Sequence, residues 1–351
     1  MTTTPLPPTI PDEDLRRAPP REQLTVIAEA VRPGSIVSTV TRLRGGVSSG
    51  IHAVQLRGPG KRLTSVVVRR YGRWRVEHDP QVARREWAIL TALARVAVPT
   101  PVPLWLDAEG AVCGCPTIVT SRLPGSGLLA PRDPAGFARG LALTLAAIHA
   151  APLEATELAV LVDQRTGPAN LLERDEPPPD LAALPRLREV WTMLHRWWPR
   201  VRAALAVGSP RLVHGDFWPG NTLWRYGRLT GVVDWEQVRR GDPTQDVGCC
   251  RVDLTMLFGL DVAATFLSTY EATSGLTVSH LFFWDLYTTT WAIESLDQWV
   301  QGYHDLGRTD LSVDEARARL GLFIDDALAR AAVALTAVTD AAGPVIEQTE
   351  E

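Results

Sequence analysis

The chain has 351 residues, 45% hydrophobic and 22% charged, with a formal net charge of −4. That is more apolar material than one core usually organises, so two lobes are expected. The charge balance argues against a nucleic-acid or anionic-membrane partner and leaves a cationic small substrate open.

The opening MTTTPLPPTIPDEDL has neither a basic n-region nor an apolar h-region, and no later stretch runs for eighteen apolar residues without a charge. A soluble, cytoplasmic protein without a membrane partner is expected, as a monomer or dimer. The cysteines Cys113, Cys115, Cys249 and Cys250 match neither a zinc pattern nor a secreted disulfide framework, and read as buried thiols. Lys61 is the only lysine and sits in the turn RGPGKR, so a functional cation elsewhere must be an arginine.

In chain order, residues 1–20 are rich in proline, threonine and acid without an apolar period, which predicts a flexible tail. An amino-terminal lobe is expected over 21–122. Within it, Ser35 to Tyr71 alternates β-type runs with turns, predicting a three-stranded antiparallel meander whose first turn holds Gly45, Gly46, Val47, Ser48 and Ser49. Asp79-Pro80 reads as a cap opening the helix PQVARREWAILTALARV. Glu86 falls on that helix's apolar face, where a carboxylate is costly without a partner. The run CPTIVTSRLPG reads as a further strand.

A larger, mostly helical lobe is expected over 123–345. Asp133-Pro134 repeats the capping signature before a helix ending near His149. Pro185 suits a first helical turn, while Pro199 should kink or split the helix that follows; an alanine-rich helix is predicted from Phe323 to Val338.

The chemistry concentrates between them. VHGDFWPGN, from Val213 to Asn221, precedes NTLWRYGRLTGVVDWE, whose central Tyr226-Gly227-Arg228 marks a hairpin. Asn221 and Asp234 are equidistant from that turn and should be near neighbours, an amide oxygen beside a carboxylate of the kind magnesium accepts. Asp216 precedes them on a loop shaped by Pro219-Gly220, where a carboxylate suits a base or a positioning residue for an attacking hydroxyl. On the residues alone, a plain polar turn between two strands stays open as the other reading, and the Gly45-Gly46 turn by itself is equally readable as an ordinary hairpin.

His214-Gly215-Asp216, with Asn221 five residues after Asp216 and Asp234 eighteen after it, resembles the catalytic loop and metal-binding aspartate of protein kinases. The wording HGDFWPGN, VVDWE and GDPTQD resembles the aminoglycoside phosphotransferase and choline kinase family over about residues 36–250. The resemblance implies an α+β, protein-kinase-like fold, with a small antiparallel-sheet lobe bearing one main helix and a larger helical lobe. It also implies ATP and Mg2+ as cofactors and a small-molecule hydroxyl acceptor. Position by position, it implies Asp216 as catalytic aspartate, Asn221 and Asp234 as magnesium ligands, and His214 and Asp246 as support residues. Residues 45–49 resemble the phosphate loop, Arg69 the basic residue of the third strand, and Glu86 its helix partner; Val119 and Ser121 stand at the adenine hinge. Arginine replaces the family's more usual lysine at 69. Glycine at 215 stands where protein kinases carry arginine, which argues against a protein substrate.

The stretch FFWDLYTTTWAIESLDQWV places Trp284, Tyr287, Trp291 and Glu294 on one helical face, with Asp285 beside them. Such a face can hold a cation or a sugar ring. A core helix with a few exposed acids is the favoured reading, and these residues stand as substrate candidates because this half of the family's chain contacts substrate. The acceptors the resemblance allows are aminoglycoside-, macrolide-, amino-alcohol- or sugar-like. A non-catalytic nucleotide-binding protein on the same fold and a metallo-phosphoesterase are the competing classes.

Overall fold

The computed structural model describes residues 8–43, 49–174, 184–276 and 278–342, with side chains described to 337. In chain order, α1 (Arg21–Val31) leads to β1 (Ile36–Arg42), β2 (Ser49–Arg57) and β3 (Leu63–Tyr71). Next come α2 (Arg73–His78), α3 (Val82–Leu93), β4 (Pro103–Asp107), β5 (Thr117–Ser121), α4 (Pro134–His149) and α5 (Ala155–Ala159). β6 (Val162–Asp163), α6 (Thr166–Leu172), α7 (Pro185–Val207), β7 (Arg211–Val213), β8 (Thr222–Arg225), β9 (Arg228–Val232) and β10 (Arg239–Gly241) follow. The remaining described elements are α8 (Thr244–Phe258), α9 (Leu260–Ser274), α10 (Leu281–Asp305) and α11 (Val313–Ala342).

Two compact units result, one of Met1–Gly127, Ala150–Val162 and Asn221–Val238, the other of Leu128–His149, Asp163–Gly220 and Arg239–Glu351. A single crossing near 122 is therefore too simple. The β8–β9 hairpin belongs with the first unit because Val232 N–H donates to the Pro99 carbonyl and Trp224 exchanges backbone hydrogen bonds with Ser126.

In the first unit, β1, β2 and β3 form the expected antiparallel meander, extended to the order β1-β2-β3-β5-β4. The period of two along β3 and β5 sorts side chains to opposite faces. Val66, Val68 and Val119 pack with Leu24 and Ile27 of α1 on one face, while Tyr71 and Ile118 pack with Val82 and Ala83 of α3 on the other. The amino-terminal segment departs from the predicted tail: Asp14–Arg16 form a 3-10 turn, Leu15 is buried, and Arg70 donates to the carbonyls of Leu15 and Arg17. A buried guanidinium needs acceptors, and this segment supplies them. The helix bearing Glu86 also starts later than predicted, at Val82, because Asp79 accepts from Arg85 and lies 3.6 Å from Arg75 instead of capping α3.

The second unit is helical, its core drawn from α7, α8, α10 and α11. Asp133 caps α4 as predicted, its Oδ1 accepting the Gly136 N–H at 2.8 Å. Pro185 occupies the first turn of α7, but Pro199 neither ends nor divides the helix. Its turn is held by Trp197, Trp198 and Val201, all buried in the core, so packing outweighs the missing backbone donor. Gly248 lets α8 approach α10 closely, since a Cβ there would lie 2.9 Å from the Trp284 carbonyl carbon. Most of the predicted loop at 174–180 lies outside the described residues. No helix among the described residues is long and apolar enough to cross a membrane.

Candidate active site

In the first unit a buried charge cluster is built around Arg69. The strand period turns Arg69 and Tyr71 toward α3 and Arg70 away from it. Arg69 Nη1 donates to Glu86 at 3.2 and 3.4 Å, Nε to Ser49 Oγ at 3.1 Å, and Nη2 to Asp234 Oδ1 at 2.5 Å and Glu236 Oε2 at 3.0 Å. The pairing expected from an acid on an apolar helix face is thus present. Burial disfavours the charge on Arg69, but Asp234, Glu86 and Glu236 more than offset it and raise its pKa. Burial raises the Glu86 pKa against the pull of Arg69 and of the Tyr71 hydroxyl, which donates to Glu86 Oε2 at 2.5 Å.

Asn221 and Asp234 flank the β8–β9 hairpin, whose turn is Tyr226-Gly227, both with positive φ. The register differs from the predicted one because the turn is centred one residue earlier than expected; a bulge between Leu223 and Trp224 recovers one position and pairs Thr222 with Val232, and Val233 N–H donates to the Asn221 carbonyl at 2.9 Å. Asp234 therefore follows the residue opposite Asn221. It adopts a left-handed φ of 68°, which aspartate and asparagine tolerate better than most residues, and the chain enters a 3-10 turn holding Glu236.

Gly45, Gly46, Val47 and Ser48 lie outside the described residues. Ser49 is buried and serves Arg69. The hinge expectation at Val119 and Ser121 needs correction. Val119 is fully buried in β5 between β3 and β4, and Ser121 already donates its N–H to the Val102 carbonyl at 2.8 Å. The ladder thus engages Val119 on both sides and takes the Ser121 N–H that a base would need.

In the second unit, Asp216 is half-buried on the loop after β7. His214 is fully buried and its Nδ1 accepts the Asp216 N–H at 3.3 Å, so the ring shapes the loop. Asp246, at the start of α8, accepts the amides of His214 at 2.6 Å and Gly215 at 2.8 Å. It also meets His149 Nε2 at 3.0 Å, while His149 Nδ1 lies 2.7 Å from the Tyr270 hydroxyl. This chain is satisfied when Nε2–H donates to Asp246 and Tyr270 donates to Nδ1.

Trp284, Asp285 and Tyr287 are core residues of α10, at 0%, 0% and 5% exposure, and line no surface. Asp285 is held by Arg251 at 3.3 Å and Arg330 at 2.7 Å. Packing between α7, α8 and α11 covers the face that amphipathic spacing left open; Trp291 and Glu294 alone of the five substrate candidates are exposed. Sequence reading also passed over Glu236, two residues beyond Asp234, and Asp253, two helical turns beyond Asp246. Asp253 is buried and accepts from the Tyr303 hydroxyl at 2.6 Å, and the Tyr303 ring lies 6.0 Å from that of Trp218 in the catalytic-type loop.

Asn221 and Asp234 offer the hard oxygens that magnesium prefers, and the Asp234 side chain, 22% exposed, is the most open acid around Arg69. Among the described residues no group of three or more His, Cys, Asp or Glu is arranged to hold a metal unaided. That donor set fits magnesium, which binds through one or two carboxylates and completes its shell with water and phosphate oxygens.

A sheet-bearing unit with a strand arginine paired to a helix glutamate, and a helical unit with a braced aspartate loop, define a kinase-like α+β architecture. A model of the phosphotransferase enzyme family matches residues 39–282, and the chain belongs to that family. Viomycin phosphotransferase of Streptomyces vinaceus is 30% identical over 173 residues, a match spanning 45% of this chain and 58% of that relative's length. A candidate aminoglycoside phosphotransferase from Ralstonia eutropha JMP134 superposes with a TM-score of 0.57 at 19% identity, covering 88% of this chain and 98% of that one. A macrolide 2'-phosphotransferase type I gives 0.54 at 22% identity over 82% and 96%. A thermostable mutant of aminoglycoside phosphotransferase APH(4)-Ia, in ternary complex with ADP and hygromycin B, gives 0.54 at 16% identity over 88% and 98%. At these identities the likeness to solved structures is one of fold.

Proposed function

We propose that the protein is an ATP- and magnesium-dependent kinase that phosphorylates a hydroxyl of a small molecule of aminoglycoside-, macrolide-, amino-alcohol- or sugar-like type. The observation that carries this reading is the buried Arg69–Glu86 pair with Asp234 on the same guanidinium, in a chain whose family is that of phosphotransferases. Arg69, fixed by Glu86 and Ser49, presents a permanent positive charge to nucleotide phosphates. Asn221 and Asp234 hold the metal. When bound, magnesium neutralises charge developing on the transferred phosphoryl group.

Asp216 accepts or orients the acceptor's hydroxyl proton. His214 and Asp246 keep its loop in place through the amide and carboxylate contacts described above. The relatives named for viomycin, aminoglycosides and macrolides support an acceptor of antibiotic-like size, and the choice among these classes is settled by assay.

A coupled ADP-release screen over aminoglycosides, macrolides, viomycin, amino-alcohols and sugars tests the reading. Turnover of at least one acceptor is expected, with Asp216→Ala lowering it by about 10²–10⁴-fold while the melting profile stays close to wild type. Undiminished turnover in both Asp216→Ala and Asp234→Asn refutes the mechanism. ATP binding without transfer to any acceptor favours the non-catalytic reading.

A further inference from the structure

We propose that Glu236 is a positioning residue that shares the Arg69 guanidinium with Asp234 and thereby leaves Asp234 able to take a divalent cation. The inference rests on the assignment of Asp234 as a metal ligand made above. Arg69 Nη2 meets Asp234 at 2.5 Å and Glu236 at 3.0 Å, so one nitrogen serves two acids. A cation bound to Asp234 must compete with that guanidinium for the same carboxylate. Withdrawing a buried guanidinium from its acceptors is costly, so the competition is severe unless another acceptor remains.

Glu236 supplies that acceptor and is held from behind for the purpose. Arg75 Nη2 donates to the Glu236 backbone carbonyl at 2.7 Å and Arg75 Nε lies 3.9 Å from Glu236 Oε1. Arg75 is in turn 3.6 Å from Asp79, which also takes Arg85 of α3, the helix that carries Glu86. Glu86 sits on the other arm of the fork, where it meets Arg69 Nη1 and the Tyr71 hydroxyl and not Nη2. The arrangement also gives a reason for arginine at 69. A planar fork reaches Glu86 with one nitrogen and the Asp234–Glu236 pair with another, whereas a lysine ammonium is one point of charge. With the Glu236 charge removed, as in Glu236→Gln, a neutral amide oxygen is the weaker acceptor for the guanidinium, Asp234 becomes the only anionic acceptor left to Nη2, and its availability to metal falls.

Mn2+ binding to the full chain in the presence of ADP, read as free Mn2+ by electron paramagnetic resonance, tests this without recourse to activity. Glu236→Gln is expected to weaken Mn2+ about tenfold, the scale on which residues that orient metal ligands act. Asp234→Asn is expected to abolish the site. In an Arg69→Lys background, which removes the fork, Glu236→Gln should cost less than about threefold, since the competition it relieves is gone. Arg75→Met, which leaves the Glu236 charge in place and removes its support, should weaken Mn2+ in the same direction and keeps the test open should Glu236→Gln fail to fold. Wild-type affinity in Glu236→Gln, or in Arg75→Met where that is the variant that folds, overturns the proposal. So does complete loss in Glu236→Gln, which makes Glu236 a ligand, and so does a tenfold cost that persists in the Arg69→Lys background, which makes the effect one of general charge. Unchanged Mn2+ binding in Asp234→Asn instead refutes the underlying assignment.

Discussion

Asp253 offers the sharpest test of how the second unit is held together. It is 3% exposed, and burial pushes its pKa up from 3.8 to about 7, against the hydrogen bond from Tyr303. The folded state therefore retains a proton that the unfolded chain releases above its ordinary carboxylate value. Stability contributed by that proton is complete at low pH and is lost as pH rises from about 4 to about 7. At roughly 1.4 kcal/mol per pH unit, the loss reaches about 4 kcal/mol. Asp253→Asn keeps an oxygen for the Tyr303 hydroxyl and cannot ionise, so it escapes the loss. The amide's own N–H groups shift the curve by a constant and leave the slope alone. His52, whose pKa burial lowers to about 4, has the opposite dependence, losing stability as pH falls toward 4, but it is common to both proteins and cancels in their difference. Urea unfolding of wild type and variant at half-unit steps from pH 4 to pH 8 is the assay. The stability of the variant relative to wild type should climb by about 4 kcal/mol across that range and flatten above pH 7. A difference that stays constant with pH refutes the reasoning.

Asp246→Ala should cost about 3–5 kcal/mol, because it strips the acceptor from His149 and from the amides of His214 and Gly215 in a fully buried site; denaturant midpoints measure it. Gly220→Ala places a Cβ 2.0 Å from the Trp218 ring, so a rigid aromatic must move; a loss of about 1–3 kcal/mol by thermal melting, accompanied by reduced turnover, is expected. Wild-type behaviour removes the bracing role given to Asp246 or the loop-shaping role given to Gly220, respectively.

Much of the site was legible because its signals are local. Alternation along Ser35 to Tyr71 encodes a meander, and the same period sends Arg69 and Arg70 to opposite faces. An acid on the apolar face of α3 demands a cation, and the scarcity of lysine narrows the choice to arginine. Spacing from Asp216 to Asn221 and Asp234 is likewise a property of the chain itself. The hairpin shows the limit of such arguments: counting from a turn at Tyr226-Gly227-Arg228 brought Asn221 and Asp234 opposite each other, yet the turn is centred one residue earlier, on Tyr226-Gly227, and only the bulge at Leu223 and Trp224, which leaves no mark in a pattern of residue types, brings Asp234 back to within one position of the residue opposite Asn221.

What the tertiary structure decided was which faces are covered and which distant groups meet. The aromatic face of α10 has the same spacing whether it binds a ligand or fills a core, and only the packing of α7, α8 and α11 made it core. Val119 and Ser121 have the composition of a hinge, but the neighbouring strands cover Val119 and take the Ser121 N–H. Asp246 reaches His149, 97 positions away, and Arg69 reaches Glu236, 167 positions away. Local preference sets backbone shape residue by residue, whereas these pairings exist only once separate segments are packed, since burial makes an unpaired charge costly enough to require a partner.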